Sequence, residues 1–434
     1  MTKIAAILRG LSAFWRSRFG ELSLRLLGAA LQVLATWALV RALAPEDAGV
    51  YFRGFVIALG LGTLLRGKYE IYMAQHIIGR RAASTGISNG ALLTQLARRL
   101  LLRSSLLCAV LLVVTADLDI QAPQLQTVLQ TYLPFVLALP CVSLSSLLGE
   151  ALRAANRTLG IVVATYAVNL SILLAVALAP ADASLAVYSW AFFLGSLVAA
   201  GAAVGLAWRA FPAAMQESSR PASREELQAV DSLELIGLAR GAQLWGPLCV
   251  LSIWATPLQM AQYAVAARTA MIVDFFLPAL NLAEGDLMPA ARPMPAPQSS
   301  LVRQLSVALF YSCALVVPLL VLSPGTLALY GNPYDSNLAI YALLLGVQWV
   351  NGAGRPAVRL AVAAWDARRI GLVIGSGAVA GVLICSLGVA VYGAIAAAGG
   401  SLIGALILNG GAIQMAFRGC PGRSGPHAQS FDPL

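Results

Sequence analysis

LVRALAPEDAGVY, residues 39–51, lies between two long apolar runs and carries the pattern on which the fold prediction depends. It contains a proline and a tyrosine six residues apart, with an alanine between them. PLQMAQY, residues 257–263, repeats that pattern 212 residues later. A second pair, LRAANRTLG at residues 152–160 and AAWDARRIG at residues 363–371, gives an offset of 211. Because the offsets agree within one residue, they predict two related halves; chance matching among common residues is the competing interpretation.

The composition of the whole chain is that of a membrane protein. Hydrophobic residues make up 59% of the 434 residues and charged residues 11%, and the mean hydropathy is +0.79. Soluble domains carry about 25% charged residues, so this chain has too few to cover a water-exposed surface. A helix that crosses a bilayer needs roughly 20 apolar residues. Twelve runs reach that length and predict spans at residues 22–44, 49–78, 96–115, 125–148, 159–179, 185–208, 233–255, 258–283, 301–322, 338–363, 370–392 and 394–417.

The predicted fold is therefore all-α and integral to the membrane, with two six-helix pseudo-repeats around a central cavity. Six spans are an even number, so the two halves are expected to run parallel to each other. The N-terminal bundle is predicted at residues 22–208 and the C-terminal bundle at residues 233–417. A basic amphipathic segment at residues 1–21 precedes them, a polar cytoplasmic linker at residues 209–232 joins them, and a disordered cytoplasmic tail follows at residues 418–434.

Charged residues alternate between the two sets of loops. The net charge of +10 is spread over the ends of apolar runs, whereas a nucleic-acid-binding protein clusters its charge on one soluble face. One set of loops, here called the arginine-rich side, contains Arg80, Arg81, Arg153, Arg157, Arg220, Arg224, Arg292, Arg368 and Arg369. The opposite set, the acidic side, contains Glu46, Asp47, Asp117, Asp119, Asp182 and Asp335. The positive-inside rule then predicts a multi-pass membrane protein with an even number of spans and both termini in the cytoplasm.

Polar residues inside the predicted spans indicate an internal site. An ionised side chain at the bilayer centre costs about 2.5–3.5 kcal/mol on insertion scales, so such residues usually face a cavity. We predict a cationic substrate-binding cavity formed by Arg25, Arg53, Arg66, Lys68, Arg240, Arg268 and Arg355, with polar lining from Gln32, Gln243, Gln348 and Asn351. For Arg25 and Arg240, snorkelling to the membrane surface is the alternative, and for Arg53 it is an anchor at the outer interface.

The second predicted span is interrupted by Arg66, Lys68 and Glu70, which stand among several glycines. Arg66 and Glu70 are four residues apart and would neutralise each other on one helix face, which leaves Lys68 as a spare cation. We expect the helix to break here and line the cavity, or to end earlier and leave these charges near the surface. Glu70 and Asp274 are the candidate sites for coupling to an ion or a proton.

No motif for catalysis, for a metal or for a cofactor occurs in the sequence. The histidines are His76 and His427, and the six cysteines show no CxxC spacing. There is no Walker motif for nucleotide hydrolysis and no Ser-His-Asp or paired-carboxylate constellation. The sequence therefore favours transport over enzymatic activity. Because arginine offers a fixed charge and a fork that fits phosphate, the cavity favours an anionic substrate with an apolar portion.

Residues 27–62 resemble the opening of Wzx-type flippases for O-antigen and exopolysaccharide, in the MOP superfamily that also holds lipid II flippases and MATE exporters. The resemblance rests on the arginine, proline, acidic pair, glycine and tyrosine of residues 41–51, with Ala44 where glycine is usual. Residues 152–157 resemble the loop after the fourth span in that family. The resemblance implies functional arginines on the first, second and eighth spans, where Arg25, Arg53 and Arg268 lie.

The resemblance also implies an activity. It implies a flippase that moves an undecaprenyl-pyrophosphate-linked oligosaccharide from the cytoplasmic to the outer leaflet by alternating access. Its partners would be the lipid-linked substrate, membrane lipids, a polysaccharide polymerase and glycosyltransferases, with no cofactor and no nucleic acid. Two alternatives stay open on the residues: a MATE-like cation-coupled antiporter of small molecules, and a non-transporting membrane partner of a glycosyltransferase complex.

Overall fold

The computed structural model describes residues 18–83, 89–121, 125–154, 159–180, 183–211, 230–231, 233–274, 276, 298–335, 337–364 and 367–418. Within these ranges the chain forms twelve long helices. They are α1 (Arg18–Ala42), α2 (Pro45–Ala83), α3 (Asn89–Gln121), α4 (Leu125–Ala154), α5 (Leu159–Leu178), α6 (Leu185–Ala210), α7 (Glu234–Trp254), α8 (Pro257–Ala270), α9 (Gln298–Val321), α10 (Leu338–Ala364), α11 (Ala367–Tyr392) and α12 (Ala394–Arg418). Two short helices, Ser323–Ala328 and Asn332–Asp335, lie between α9 and α10.

Each of the twelve predicted spans overlaps one of these helices, which confirms the predicted all-α membrane fold. Residues 277–283 of the eighth predicted span lie outside the described ranges. In the described part of the chain, seven helices are long and apolar enough to cross a bilayer by length and composition, and α1 and α5 contain shorter apolar segments. Three predicted segments lie largely outside the described ranges: residues 1–17 of the amphipathic N-terminal segment, most of the linker, and the tail after residue 418. The boundaries of these three segments stay predictions.

The two halves, α1–α6 and α7–α12, repeat the same set of helix contacts. The pairs α1–α5, α2–α4, α3–α4, α4–α6 and α5–α6 pack together in the N-terminal half. Six helices later the pairs α7–α11, α8–α10, α9–α10, α10–α12 and α11–α12 pack together in the C-terminal half. Because helix order and partners recur, the two halves are pseudo-repeats of one six-helix unit, as the sequence offsets predict.

The repeated Pro-to-Tyr motif marks the same structural position in both halves. Pro45 is the first residue of α2 and Pro257 is the first residue of α8. Proline suits a helix start because its missing N–H would have no partner inside the helix and its φ is already helical. At α8 the start is reinforced by a capping box, in which Thr256 accepts from the backbone of Gln259 and the Gln259 side chain accepts from the backbone of Thr256.

The expected break in the second span is wrong, because α2 is one continuous helix of 39 residues from Pro45 to Ala83. Its glycines admit a neighbouring helix instead of ending α2. A side chain on Gly49 would overlap the backbone of Pro257. A Cβ on Gly67 would lie 2.9 Å from the Gly237 carbonyl oxygen, and one on Gly237 would lie 2.6 Å from the backbone nitrogen of Lys68. These small residues let α2 and α7 meet backbone to backbone, as small residues do in other membrane helix pairs.

We expect Gly67→Val to separate α2 from α7 and to lower the stability of the protein. Overpacking a close contact costs about 1–3 kcal/mol. The measurement is the melting temperature of the purified protein in detergent. Gly205→Val is the matched control, because a Cβ at that exposed position of α6 meets nothing within 4 Å. Equal melting temperatures for the two variants would contradict the backbone contact.

Candidate functional site

Among the described residues, most of the interface between the two halves is formed by four helices. On the N-terminal side these are α1 and α2, and on the C-terminal side α7 and α8. Helix α2 packs along both α7 and α8, whereas α1 contacts α8 and also donates hydrogen bonds from Trp37 and Arg41 to the backbone oxygen of Leu329, between α9 and α10. Most of the charged residues that the sequence singles out lie on these helices, so the interface is where their placement decides what the protein can do.

Arg268 is the charge at the centre of this interface. It lies on α8, is buried with 8% of its surface exposed, and reaches from the C-terminal half into the N-terminal half. Its guanidinium carbon stands 4.5 Å from the ring centre of Phe55 and 6.0 Å from that of Phe52, both on α2. A guanidinium over an aromatic face is attracted by the ring quadrupole. These contacts stabilise the cation through ring faces, which do not neutralise its charge.

The polar contacts of Arg268 are few. Its Nη2 donates to Asn169 Oδ1 on α5 at 3.5 Å, which is a long hydrogen bond. Its Nε is buried with no hydrogen-bond partner among the described residues. No described carboxylate lies within ion-pair distance of the guanidinium. A buried cation without a counter-charge is costly, and an anion with several oxygen acceptors would compensate it.

Aromatic side chains pack beside Arg268 and make its surroundings apolar. Tyr51, Phe52, Phe55, Phe135 and Phe192 form a cluster of ring contacts with centroids 5.1–6.5 Å apart. In a low-dielectric environment the attraction between the guanidinium and an anion is stronger than it would be in water. The arrangement can therefore hold an anionic group at the contact between the halves.

Helix α1 contributes a polar contact to the same region. Gln32 Nε2 donates to the backbone oxygen of Arg268 at 3.5 Å, and Thr36 donates its hydroxyl proton to the Gln32 carbonyl at 2.7 Å. This places Gln32 beside Arg268, on the polar stripe that the sequence predicts for the first span. The side chain of Arg25, on the same stripe, lies outside the described part of the structure.

Lys68 is not the spare cation that the sequence predicts. Its ammonium is 2.8 Å from Asp231 Oδ1 and 3.0 Å from Glu234 Oε2, and only 4% of its side chain is exposed. The prediction is wrong because partners more than 160 residues away reach it once Gly67 and Gly237 bring α2 and α7 together. These ion pairs join the N-terminal half to the start of α7 on the arginine-rich side. The hydrogen bond from Lys68 lowers the pKa of Asp231.

Arg53 joins the halves at the other end of α2. Its Nη2 donates to the backbone oxygen of Ala255, just past the end of α7. The last carbonyls of a helix have no partner within the helix, so a cation there is well placed. Arg66 donates from Nη2 to the Thr63 hydroxyl at 3.2 Å within α2. Arg53 thus lies at the interface near the acidic side, while the side chain of Glu70 lies outside the described part.

A separate polar cluster lies inside the C-terminal half. Arg355 Nη2 on α10 is 3.0 Å from Asp274 Oδ1. With its amide nitrogen facing the carboxylate, Gln348 donates to Asp274 Oδ2 at 2.9 Å. Asn351 lies on α10 between Gln348 and Arg355, and the side-chain amide of Asn409 on α12 donates to its Oδ1 at 3.0 Å. The structure therefore brings Gln348 and Arg355 together around Asp274, and this cluster does not include Arg268.

Two predicted cavity residues on α7 face different surroundings. Arg240 is exposed. Gln243 lies beside Gly377 of α11 and Gly404 of α12, within the C-terminal half, and its Oε1 has no hydrogen-bond partner among the described residues. The face of α7 that touches α2 is the one bearing Gly237 and Gly241. Gln243 therefore packs inside the C-terminal half, away from the contact with α2.

Sequence reasoning missed the residues that complete the site. Asn169 and Phe55 contact Arg268, and Asp231 and Glu234 contact Lys68. A lone asparagine inside the apolar run of α5 is the one signal that was available, since amides are costly in lipid. Among the described residues, no three His, Cys, Asp or Glu side chains converge to hold a metal ion.

We expect removal of the partners of Lys68 to destabilise the protein more than removal of Lys68 itself. The double variant Asp231→Asn/Glu234→Gln leaves a buried ammonium unpaired, at a cost of about 1–3 kcal/mol once the exposure of both acids is allowed for. Lys68→Met replaces the cation with an apolar side chain of similar length and should cost less. Melting temperatures in detergent at neutral pH compare them, with the exposed Arg303→Met as control. The reverse order of stabilities would contradict the buried ion pair.

The same ion pair predicts a pH dependence. Because the pKa of Asp231 is lowered in the folded protein, its contribution is present above its ordinary pKa of 3.8 and is lost as pH falls through the lowered value. The difference in melting temperature between wild type and Asp231→Asn should therefore stay constant down to about pH 5 and shrink below it. A difference that shrinks already near neutral pH would contradict this assignment.

Comparison with known proteins places the fold. No protein-family model matches the chain, and no curated protein matches it by sequence. Several solved structures are similar to this chain in fold. A MATE transporter in complex with MaL6 superposes on it with a TM-score of 0.65 at 14% sequence identity, and the match covers 93% of this chain and 96% of the other.

Two further solved structures have the same architecture. The lipid II flippase MurJ in an inward closed conformation superposes with a TM-score of 0.63 at 11% identity, covering 92% of this chain and 87% of the other. An inward-facing multidrug resistance MATE family transporter of the MOP superfamily gives 0.57 at 13% identity, covering 90% and 94%. At these identities the likeness concerns the fold. The chain therefore has the twelve-helix fold shared by MATE transporters and the lipid II flippase MurJ.

Proposed function

We propose that the protein is a flippase for an undecaprenyl-pyrophosphate-linked oligosaccharide. The observation that carries this proposal is Arg268, a buried guanidinium at the contact between the two halves with no described carboxylate beside it. The pyrophosphate of such a lipid supplies several anionic oxygens at one point. The prenyl chain stays in the bilayer, and the oligosaccharide passes between the halves.

The chemistry of Arg268 suits a phosphate group. A guanidinium keeps its charge in an apolar environment and offers two parallel N–H donors, which fit two oxygens of one phosphate. Phe55 contacts the guanidinium through its ring and accepts no conventional hydrogen bond from it, and Asn169 is the one described acceptor that Arg268 reaches with its side chain. Because the Nε of Arg268 has no described partner, an incoming phosphate would satisfy a donor that is now left over.

The contacts at the two ends of α2 suggest how access alternates. Lys68 bridges the halves on the arginine-rich side, and Arg53 with Gly49 bridges them near the acidic side. Under this proposal the arginine-rich side and both termini face the cytoplasm of a bacterium, and the Lys68 ion pairs break when the cavity opens inward. Rocking of two rigid bundles around a fixed site would then carry the bound head group across.

A cation-coupled antiporter is less well supported by the polar residues. Such a carrier needs an acid that is free to bind a cation or a proton in its central cavity. The described acid at membrane depth, Asp274, is paired with Arg355 inside the C-terminal half. Asp274 takes part in proton coupling under the flippase proposal only if its ion pair with Arg355 opens during turnover. A polysaccharide polymerase and glycosyltransferases are the protein partners that this activity implies.

We expect Arg268→Ala to abolish most of the flippase activity while leaving insertion intact. Loss of a charged hydrogen bond to phosphate is worth about 1.5–3 kcal/mol, which corresponds to a roughly 10- to 100-fold loss of substrate affinity. The measurement is surface polysaccharide in a deletion strain that carries the variant. Arg268→Lys should restore activity only in part, because the fork is lost.

The matched control is Arg303→Ala, since Arg303 is exposed on α9 and no described carboxylate lies beside it. It should support normal polysaccharide at the same expression level. Accumulation of the lipid-linked sugar in the inner leaflet of the Arg268→Ala strain would place the defect at translocation. Full surface polysaccharide from Arg268→Ala would contradict the proposal.

A further inference from the structure

A crevice opens in the N-terminal half, outside the interface formed by α1, α2, α7 and α8. It lies between α3 and α6, which both pack on α4. Its volume is about 240 Å³. Helix α4 contributes Leu144 and Leu148 to the lining, and the end of α6 contributes Ala207 and Phe211. Nothing in the proposed translocation step uses this crevice.

The lining of the crevice is apolar except at one place. Thr94 and Arg98 stand four residues apart on α3, so their side chains share one face of the helix. Both side chains are exposed. No described carboxylate lies within ion-pair distance of Arg98, whereas its neighbour Arg103 approaches Glu234 at 4.0 Å. The crevice therefore combines an apolar slot with a cation at its edge that has no described carboxylate beside it.

The crevice lies near the ends of the helices that line it, where the membrane surface is expected. Arg98 lies nine residues into α3, close to the first residue of the predicted third span, and α6 ends at Ala210 beside the crevice. Arginine side chains at this level place their charge among lipid head groups while their stems stay in the apolar region. An occupant at this depth meets acyl chains on one side and head groups on the other.

We propose that this crevice binds one anionic glycerophospholipid from the arginine-rich leaflet. One acyl chain lies between α3 and α6, against Leu144 and Leu148, and the phosphate accepts hydrogen bonds from Arg98 and from the Thr94 hydroxyl. Charge decides between lipid classes here, because a zwitterionic head group adds an ammonium that Arg98 repels. A basic residue near the surface favours an anionic lipid by a factor of about five.

The test uses the purified full-length protein in detergent, incubated with phosphatidylglycerol or phosphatidylcholine of identical acyl chains. Native mass spectrometry counts the lipid molecules that stay bound. Wild type should retain phosphatidylglycerol about five-fold better than phosphatidylcholine. Arg98→Gln should bring the ratio close to one, and Arg98→Lys should keep part of the preference. Arg303→Gln, which removes an exposed arginine from α9, should leave the ratio unchanged.

A second variant separates the crevice from the charge. Ala97→Leu adds bulk to the apolar lining without altering any charge, so it should reduce retention of both lipids. Equal retention of the two lipids by wild type, or an unchanged preference in Arg98→Gln, would overturn the proposal in favour of ordinary annular lipid. Absence of any retained lipid would overturn it as well.

Discussion

The backbone contact between α2 and the C-terminal half is the constraint on which the site depends. Gly49 lies against Pro257, and Gly67 lies against Gly237, so α2 approaches α8 at one end and α7 at the other. Side chains at these positions would hold the halves apart. Because they are absent, Arg268 can rest on the α2 ring of Phe55, and Lys68 can reach acids at the start of α7. The glycines of the α2 contact thus allow both the position of Arg268 at the interface and the ion pairs of Lys68.

The two halves repeat the same helix arrangement, but Arg268 and Arg53 at their contact have no charged equivalent in the opposite half. The offset of 212 places Arg268 at the position of Val56, and it places Arg53 at the position of Val265. Both valines are buried in the apolar core. The two bundles therefore share a scaffold, while the cations at their contact occur once each. Arg268, which has no described carboxylate beside it, lies next to the rings of the opposite half, so the two halves contribute different side chains to their interface.

Much of the fold follows from the sequence, because membrane insertion imposes strong rules on length and charge. Apolar run length predicts the helices, and the motif at Pro45 and Pro257 predicts where α2 and α8 begin. The break near Lys68 was wrong for a physical reason: glycine in a membrane helix serves either flexibility or close packing, and a single sequence does not distinguish them. Arg268 was predicted as a cavity residue from its depth, but Asn169 and Phe55 come from other helices and no local pattern indicates them.

We propose that the protein itself moves a pyrophosphate-linked lipid across a bilayer, with Arg268 as its anion contact. The most direct measurement is transbilayer movement in liposomes that contain only the purified protein and a lipid-linked oligosaccharide, followed by lectin access to the sugar from outside. Wild type should expose the sugar from the inner leaflet well above empty liposomes. Arg268→Ala, reconstituted to the same density, should not. Equal exposure by both proteins, or by empty liposomes, would contradict the account.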